Sequence, residues 1–241
     1  MSILSIFIVW CDVSFENNDS YQSMQDEFNE ASTGTPKRQP DPIDMAILND
    51  DIEKLRSNKV PLAVVRTIDD ALREIANHKD EKVFVICSGS VGRCLVPMIA
   101  QEYPYVHDIY IYAHNIGLHV DWADHYIKLI KMFNFHTNLL VRLTRDISKY
   151  FIERGKIFLS VDEPRHALKC LEHAQKLEIE ANRREKMKPN LQQTETYFLQ
   201  PDFRDNLDQL EGTNGLIAQA IAAILIKGEG LEPSQTDLYL P

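Results

Sequence analysis

The stretch KVFVICSGSVGRCLVPMIAQEY, Lys82–Tyr103, decides the fold. Val83–Ile86 is uniformly apolar with no period-two alternation, as a strand covered on both faces should be. It ends in a small-residue run, Cys87-Ser-Gly-Ser-Val-Gly92. Apolar positions then recur at helical spacing from about Arg93 to Glu102, which puts Pro97 near the first turn, where proline is tolerated. A buried strand passing through a Gly/Ser turn into a helix is the repeating unit of doubly wound α/β sheets.

The same alternation extends outward in both directions. Upstream, Ile3–Trp10 is apolar and β-branched and stops at Cys11-Asp12. Val60–Val65 is a second short strand, and Thr67 caps a helix whose apolar face is Ile68, Ala71, Leu72, Ile75 and Ala76. Between these strands, Glu16–Pro42 is rich in Asn, Asp, Ser, Gln and Pro and reads as a mobile insertion (16–42), and Ile43–Arg56 has helical spacing. Downstream, Ile109–Tyr112 is a strand, Asp121–Lys131 a helix, Met132–Phe135 a weak fifth strand and Leu139–Tyr150 a further helix. The expected fold is α/β, a five-stranded, mainly parallel, doubly wound sheet over residues 1–145. Ligands of such sheets sit at the carboxyl ends of the strands, here Asp12, Cys87–Gly92, Ala113–Asn115 and His136–Thr137.

The second half carries no β-rich run, so 146–227 is expected to be an all-α extension built on a helical hairpin, with 228–241 a disordered tail and Met187–Thr194 a linker. Gly155, Phe158, Ala167, Leu171 and Ala174 have offsets that resemble one tetratricopeptide repeat, and an ordinary hairpin with small residues at its crossing explains them equally. Asp205–Leu210 and Gly215–Lys227 are further helices. The second is apolar enough to demand burial, within the chain or in a homo-oligomer through 215–227.

Composition narrows the function classes. The 241 residues are 44% hydrophobic and carry a formal charge of -10, with a pI near 5.3. This balance argues against nucleic-acid or membrane-surface binding, both of which need basic patches. Met1–Trp10 lacks the basic start and cleavage site of a signal sequence, and nothing approaches a membrane span. The four cysteines show no Cys-x2-Cys pairing, so reduced thiols in a cytoplasmic protein are expected. His114, His119, His125 and His136, with Asp121 and Asp124, have no metal-ligand spacing and read as surface residues; no metal and no cofactor is expected.

Cys87-x5-Arg93 is the sharpest chemical motif. It resembles the phosphate loop of protein tyrosine phosphatases, in which glycines let backbone N–H groups converge on a phosphate, arginine clamps two oxygens and the local field lowers the thiol pKa. Under that reading Cys87 is the nucleophile, Arg93 the clamp, and Asp124 or Asp121, beside Trp122, the general acid. Ile86 stands where that loop carries histidine, and Cys94 where it carries Ser or Thr.

A wider set of motifs points elsewhere. Val9-Trp-Cys-Asp12, Asn17-Asn18, Thr67-Ile-Asp-Asp-Ala71, Lys82 through Gly92, Val96-Pro97, Asp108-Ile-Tyr-Ile-Tyr112 and Trp122 together resemble a largely uncharacterised, receiver/flavodoxin-like α/β domain of invertebrate multidomain proteins, over roughly residues 1–150. In that family the domain precedes ADP-ribosyltransferase or tetratricopeptide modules, and the position of Cys87 is often another apolar residue. The favoured reading of the whole chain is a non-enzymatic signalling or scaffold protein, with a cysteine-dependent phosphatase as the alternative. Its strand ends and Gly/Ser turn would bind a small anionic ligand or a protein partner through Asp12, Ser88, Gly89, Ser90, Gly92 and Asn115, and its C-terminal helices would dock partners. Response-regulator receivers share the element order, but Cys87 occupies the region of their phosphorylated Asp, so receiver phosphotransfer is not expected.

Overall fold

The computed structural model describes residues 6–12, 62–186 and 205–228. The insertion at 16–42, the helix over Ile43–Arg56, the linker Met187–Thr194 and, apart from Gly228, the tail lie outside the described residues.

Among the described residues five strands form one sheet: β1 (Ile6–Cys11), β2 (Leu62–Val65), β3 (Lys82–Ser88), β4 (Val106–Tyr112) and β5 (Ile130–Phe133). Every pairing is parallel and the order is β2-β1-β3-β4-β5. This is the flavodoxin-type doubly wound order. Strand order reverses between β1 and β3, so the crevice used by ligands opens at the carboxyl ends of those two strands. The register there pairs Cys11 with Cys87, and Ser88 with Tyr112 of β4.

The helices are α1 (Ile68–Asn77), α2 (Gly89–Glu102), α3 (Val120–Ala123), α4 (His136–Ser160), α5 (Pro164–Lys186), α6 (Asp205–Leu210) and α7 (Leu216–Ile226). Because successive side chains on a strand face opposite ways, the uniformly apolar strands feed two cores at once. Val83, Val85 and Cys87 join Val9, Cys11, Ile109 and Ile111 beneath α1 and α2. Phe84, Ile86 and Tyr110 join Ile6, Ile8 and Phe133 on the other face, against α4. The Thr67 side chain accepts a hydrogen bond from the Asp70 backbone N–H at 3.1 Å, which caps α1 as its sequence suggests.

Three boundaries differ from expectation. α2 begins at Gly89 rather than near Arg93, so the Gly/Ser run is the first turn of the helix and Pro97 lies in its interior. Proline there removes the donor to the Arg93 carbonyl; Arg93 is exposed, so solvent can serve that oxygen. The helix expected over Asp121–Lys131 is reduced to α3 between two 3-10 turns, Ile116–His119 and Asp124–Tyr126. β5 starts at Ile130, paired with Ile109, and leaves no length for a longer helix.

The third difference is the extent of α4: the helix expected over Leu139–Tyr150 starts at His136 and continues to Ser160, 25 residues in all. Its first half places Leu139, Leu140, Leu143 and Ile147 on the sheet, while Phe151 and Ile152 continue into a cluster with Leu168, Leu171 and Leu177 of α5 and Ile217, Ile221 and Ile224 of α7. One core therefore spans the sheet face and the helical layer. At the α4–α5 crossing a Cβ on Gly155 would lie 2.6 Å from Leu171 Cδ2, so glycine is what lets the helices approach. The two helices of this hairpin run 25 and 23 residues. α7 buries Ile217, Ala220, Ile221 and Ile224 within this chain and leaves Leu225 and Ile226 exposed. No helix among the described residues is long and apolar enough to cross a membrane.

Candidate functional site

The crevice at the carboxyl edge of β1 and β3 gathers most of the residues singled out from sequence. Asp12 follows β1, is half-buried, and its backbone N–H donates to the Val65 carbonyl at 3.1 Å. Ser88 closes β3 in an extended conformation (φ -73, ψ 158) and is the N-cap of α2, but its side chain makes no capping hydrogen bond. Its Oγ lies 3.3 Å from Ser90 Oγ instead. The N–H groups of the first turn thus lack a side-chain cap at the positive end of a 14-residue helix. Arg93 stands one turn further on, exposed, and helical side chains tilt back toward the N-terminus. Among the described residues it has no carboxylate partner.

Gly89 and Gly92 make room for neighbouring side chains. A Cβ on Gly89 would lie 2.5 Å from Nε2 of His119, and one on Gly92 would meet Ile111 Cδ1 at 3.1 Å and the Trp122 ring at 3.3 Å. The glycines admit an imidazole and an indole against the first turn of α2. Trp122 Nε1–H donates to His119 Nδ1 at 3.3 Å, with the rings nearly perpendicular. That bond leaves Nε2 as the protonated nitrogen. Burial, then the Arg93 charge, push the His119 pKa below its ordinary value of 6.5. Arg93, His119 and the free N–H groups of α2 therefore share one corner of the crevice. A signal for this was present in sequence, since Gly89/Gly92 and His119/Trp122 are both three apart and the two pairs mate face to face.

Cys87 is fully buried beneath that turn, its Sγ 3.4 Å from the position a Gly92 Cβ would take. Burial raises its thiol pKa far above 9.0, with further upward pushes from Cys11 and Asp12. Cys11, also buried, donates from Sγ to the Thr67 carbonyl at 3.5 Å, and its pKa is pushed up to about 11, again mainly by burial. A cysteine phosphatase needs the reverse, an accessible thiolate under converging N–H groups. Here residues 89–93 are helical, so the N–H groups of Gly92 and Arg93 are used within α2 and cannot turn inward on a phosphate over Cys87. Asp121 and Asp124 face solvent, and the side chain that α3 sets against the turn is Trp122. Asn115 Oδ1 accepts from the Gly117 N–H at 3.1 Å and so caps the 3-10 turn. Among the described residues no group of three or more His, Cys, Asp or Glu side chains is placed to hold a metal ion.

Fold and crevice define a class: a doubly wound α/β domain of flavodoxin-type strand order, with an uncapped helix at its switch point and a helical layer sharing its core. Compared with known proteins, the chain matches no family model, no curated protein and no solved structure.

Proposed function

We propose that this chain is a non-enzymatic binding protein of the signalling or scaffold type, which takes a small anionic ligand bearing a phosphate or similar dianion at the first turn of α2. The observation that carries this reading is the uncapped N-terminus of α2 at the β1/β3 switch point, with the Arg93 guanidinium unpaired among the described residues one turn away. N–H donors at a helix start and a bidentate guanidinium are complementary to a tetrahedral dianion. Ser88 and Ser90 add hydroxyl donors. The buried, protonated Cys87 supports binding over catalysis. The reading includes a cytoplasmic location, supported by four free thiols, and partner docking on the helical layer, where Ile157, Val161, Leu225 and Ile226 are exposed.

The test is direct. Thermal unfolding in rising inorganic phosphate should show stabilisation that Arg93→Ala reduces several-fold, alongside negligible hydrolysis of an aryl phosphate. Turnover of the aryl phosphate that Cys87→Ser abolishes would overturn the reading.

A further inference from the structure

The seat of His119 suits only one of its charge states. Its Nδ1 accepts the Trp122 indole N–H at 3.3 Å, and an indole nitrogen is a donor only, so the bond exists only while Nδ1 carries no proton. The ring edge packs on Gly89, with Nε2 and both neighbouring carbons within 2.9 Å of the Cβ position of that residue. The charged group facing the ring from α2 is Arg93, a second cation. Beneath the turn lies the neutral thiol of Cys87, while Asp121 and Asp124, on the segment of His119 itself, point to solvent. An imidazolium in this seat would set N–H against N–H, stand beside a guanidinium and meet no carboxylate.

We propose that His119 and Trp122 form a proton-released latch on the first turn of α2, closed while His119 is neutral and opened when the imidazole gains a proton. The latch deepens the anion-site reading above and rests on it for its purpose. The closed ring covers the flank of the turn that would receive the ligand; the released imidazolium becomes a second cation, beside Arg93, for a dianion in the crevice. By linkage, an anion that prefers the charged ring raises the pH at which the latch opens. The direction of the His119 pKa agrees, since burial and Arg93 both favour the neutral, closed form.

The chain has two tryptophans, so a Trp10→Phe background leaves Trp122 as the sole indole reporter. Its emission is followed from about pH 8 to about pH 4, with and without sulfate, whose charge stays constant over that range. The expected result is a red shift on acidification with a midpoint below about 6.5, the ordinary imidazole value, moved to higher pH by sulfate. His119→Gln, which keeps an acceptor but cannot titrate, should abolish the transition while far-ultraviolet circular dichroism stays native. Absence of a transition, or one that persists in His119→Gln, overturns the latch whatever sulfate does. A His119-dependent transition that sulfate leaves unmoved supports the latch and overturns the anion reading of the site.

Discussion

Replacing Cys87 by serine separates a buried hydrophobe from a nucleophile. The side chain is fully buried between β1, β4 and the first turn of α2, in a cluster made of Val9, Val85, Val91, Leu95 and Ile111. Its backbone neighbours belong to a parallel ladder, so a hydroxyl placed there finds few acceptors. Leaving such a hydroxyl unsatisfied costs about 1–3 kcal/mol, whereas Cys87→Ala loses only the sulfur contacts, about 1 kcal/mol for a small cavity. Serine, though closer in size, should therefore be the more harmful change. In urea, with a slope on the order of 2 kcal/mol/M, the serine variant should unfold roughly 0.5–1.5 M earlier than wild type, and alanine by less than serine. Serine as stable as wild type, with alanine clearly worse, would mean that position 87 is polar and open rather than a buried hydrophobe.

Further outcomes follow from the same packing. An aromatic disulfide reagent should modify one thiol quickly in the native protein, Cys94, and the buried Cys11, Cys87 and Cys170 only on unfolding; for Cys11 the rise from 9.0 to about 11 alone cuts the thiolate fraction about 100-fold. Peptide mapping that finds Cys87 among the fast thiols would contradict this. Gly155→Ala should destabilise by about 1–2 kcal/mol, because the clash with Leu171 outweighs the gain in helix propensity, and Leu171→Ala in the same chain should recover part of it, as a double-mutant cycle would show. His173 packs edge-on to Phe151 with ring centroids 4.5 Å apart, and burial, followed by Lys176, lowers its pKa from 6.5 to about 4. The folded state thus holds this ring neutral while the unfolded chain binds a proton. Stability present above about pH 6.5 is lost as pH falls toward about 4, by up to about 3 kcal/mol, and His173→Phe should flatten that slope in denaturation midpoints measured across the range.

The strands were legible because they are covered on both faces: a continuous apolar run such as Val83–Ile86 has few other uses. Strand ends follow from the same runs, and the pairing of Cys11 with Cys87 sets Asp12 and Ser88 at the ends of neighbouring strands. The start of α2 was not legible. Glycines at 89 and 92 have poor intrinsic helix propensity, and what favours helix there is the imidazole and indole packed against them from residues about 30 positions later in the chain. Local pattern cannot report such a non-local contact. The burial of polar residues on α4 was hidden for a related reason. Ser148, which reads as a surface residue, is buried with its Oγ donating to the Ala174 carbonyl at 3.1 Å, and Asp146 accepts from the Tyr110 hydroxyl at 2.7 Å. Polar residues paired across elements look solvent-facing until their partners are known. Cys87-x5-Arg93 is different again, since two residue types at a fixed spacing carry no information about whether the intervening chain is loop or, as here from Gly89, helix.

The most direct test of the central claim is a backbone amide nuclear magnetic resonance titration with inorganic phosphate. Saturable shifts should concentrate at Ser88, Gly89, Ser90 and Val91, with the Trp122 indole N–H responding and Arg93→Ala weakening the effect. Saturable shifts confined to other surfaces, or none at the first turn of α2 at millimolar phosphate, would contradict it.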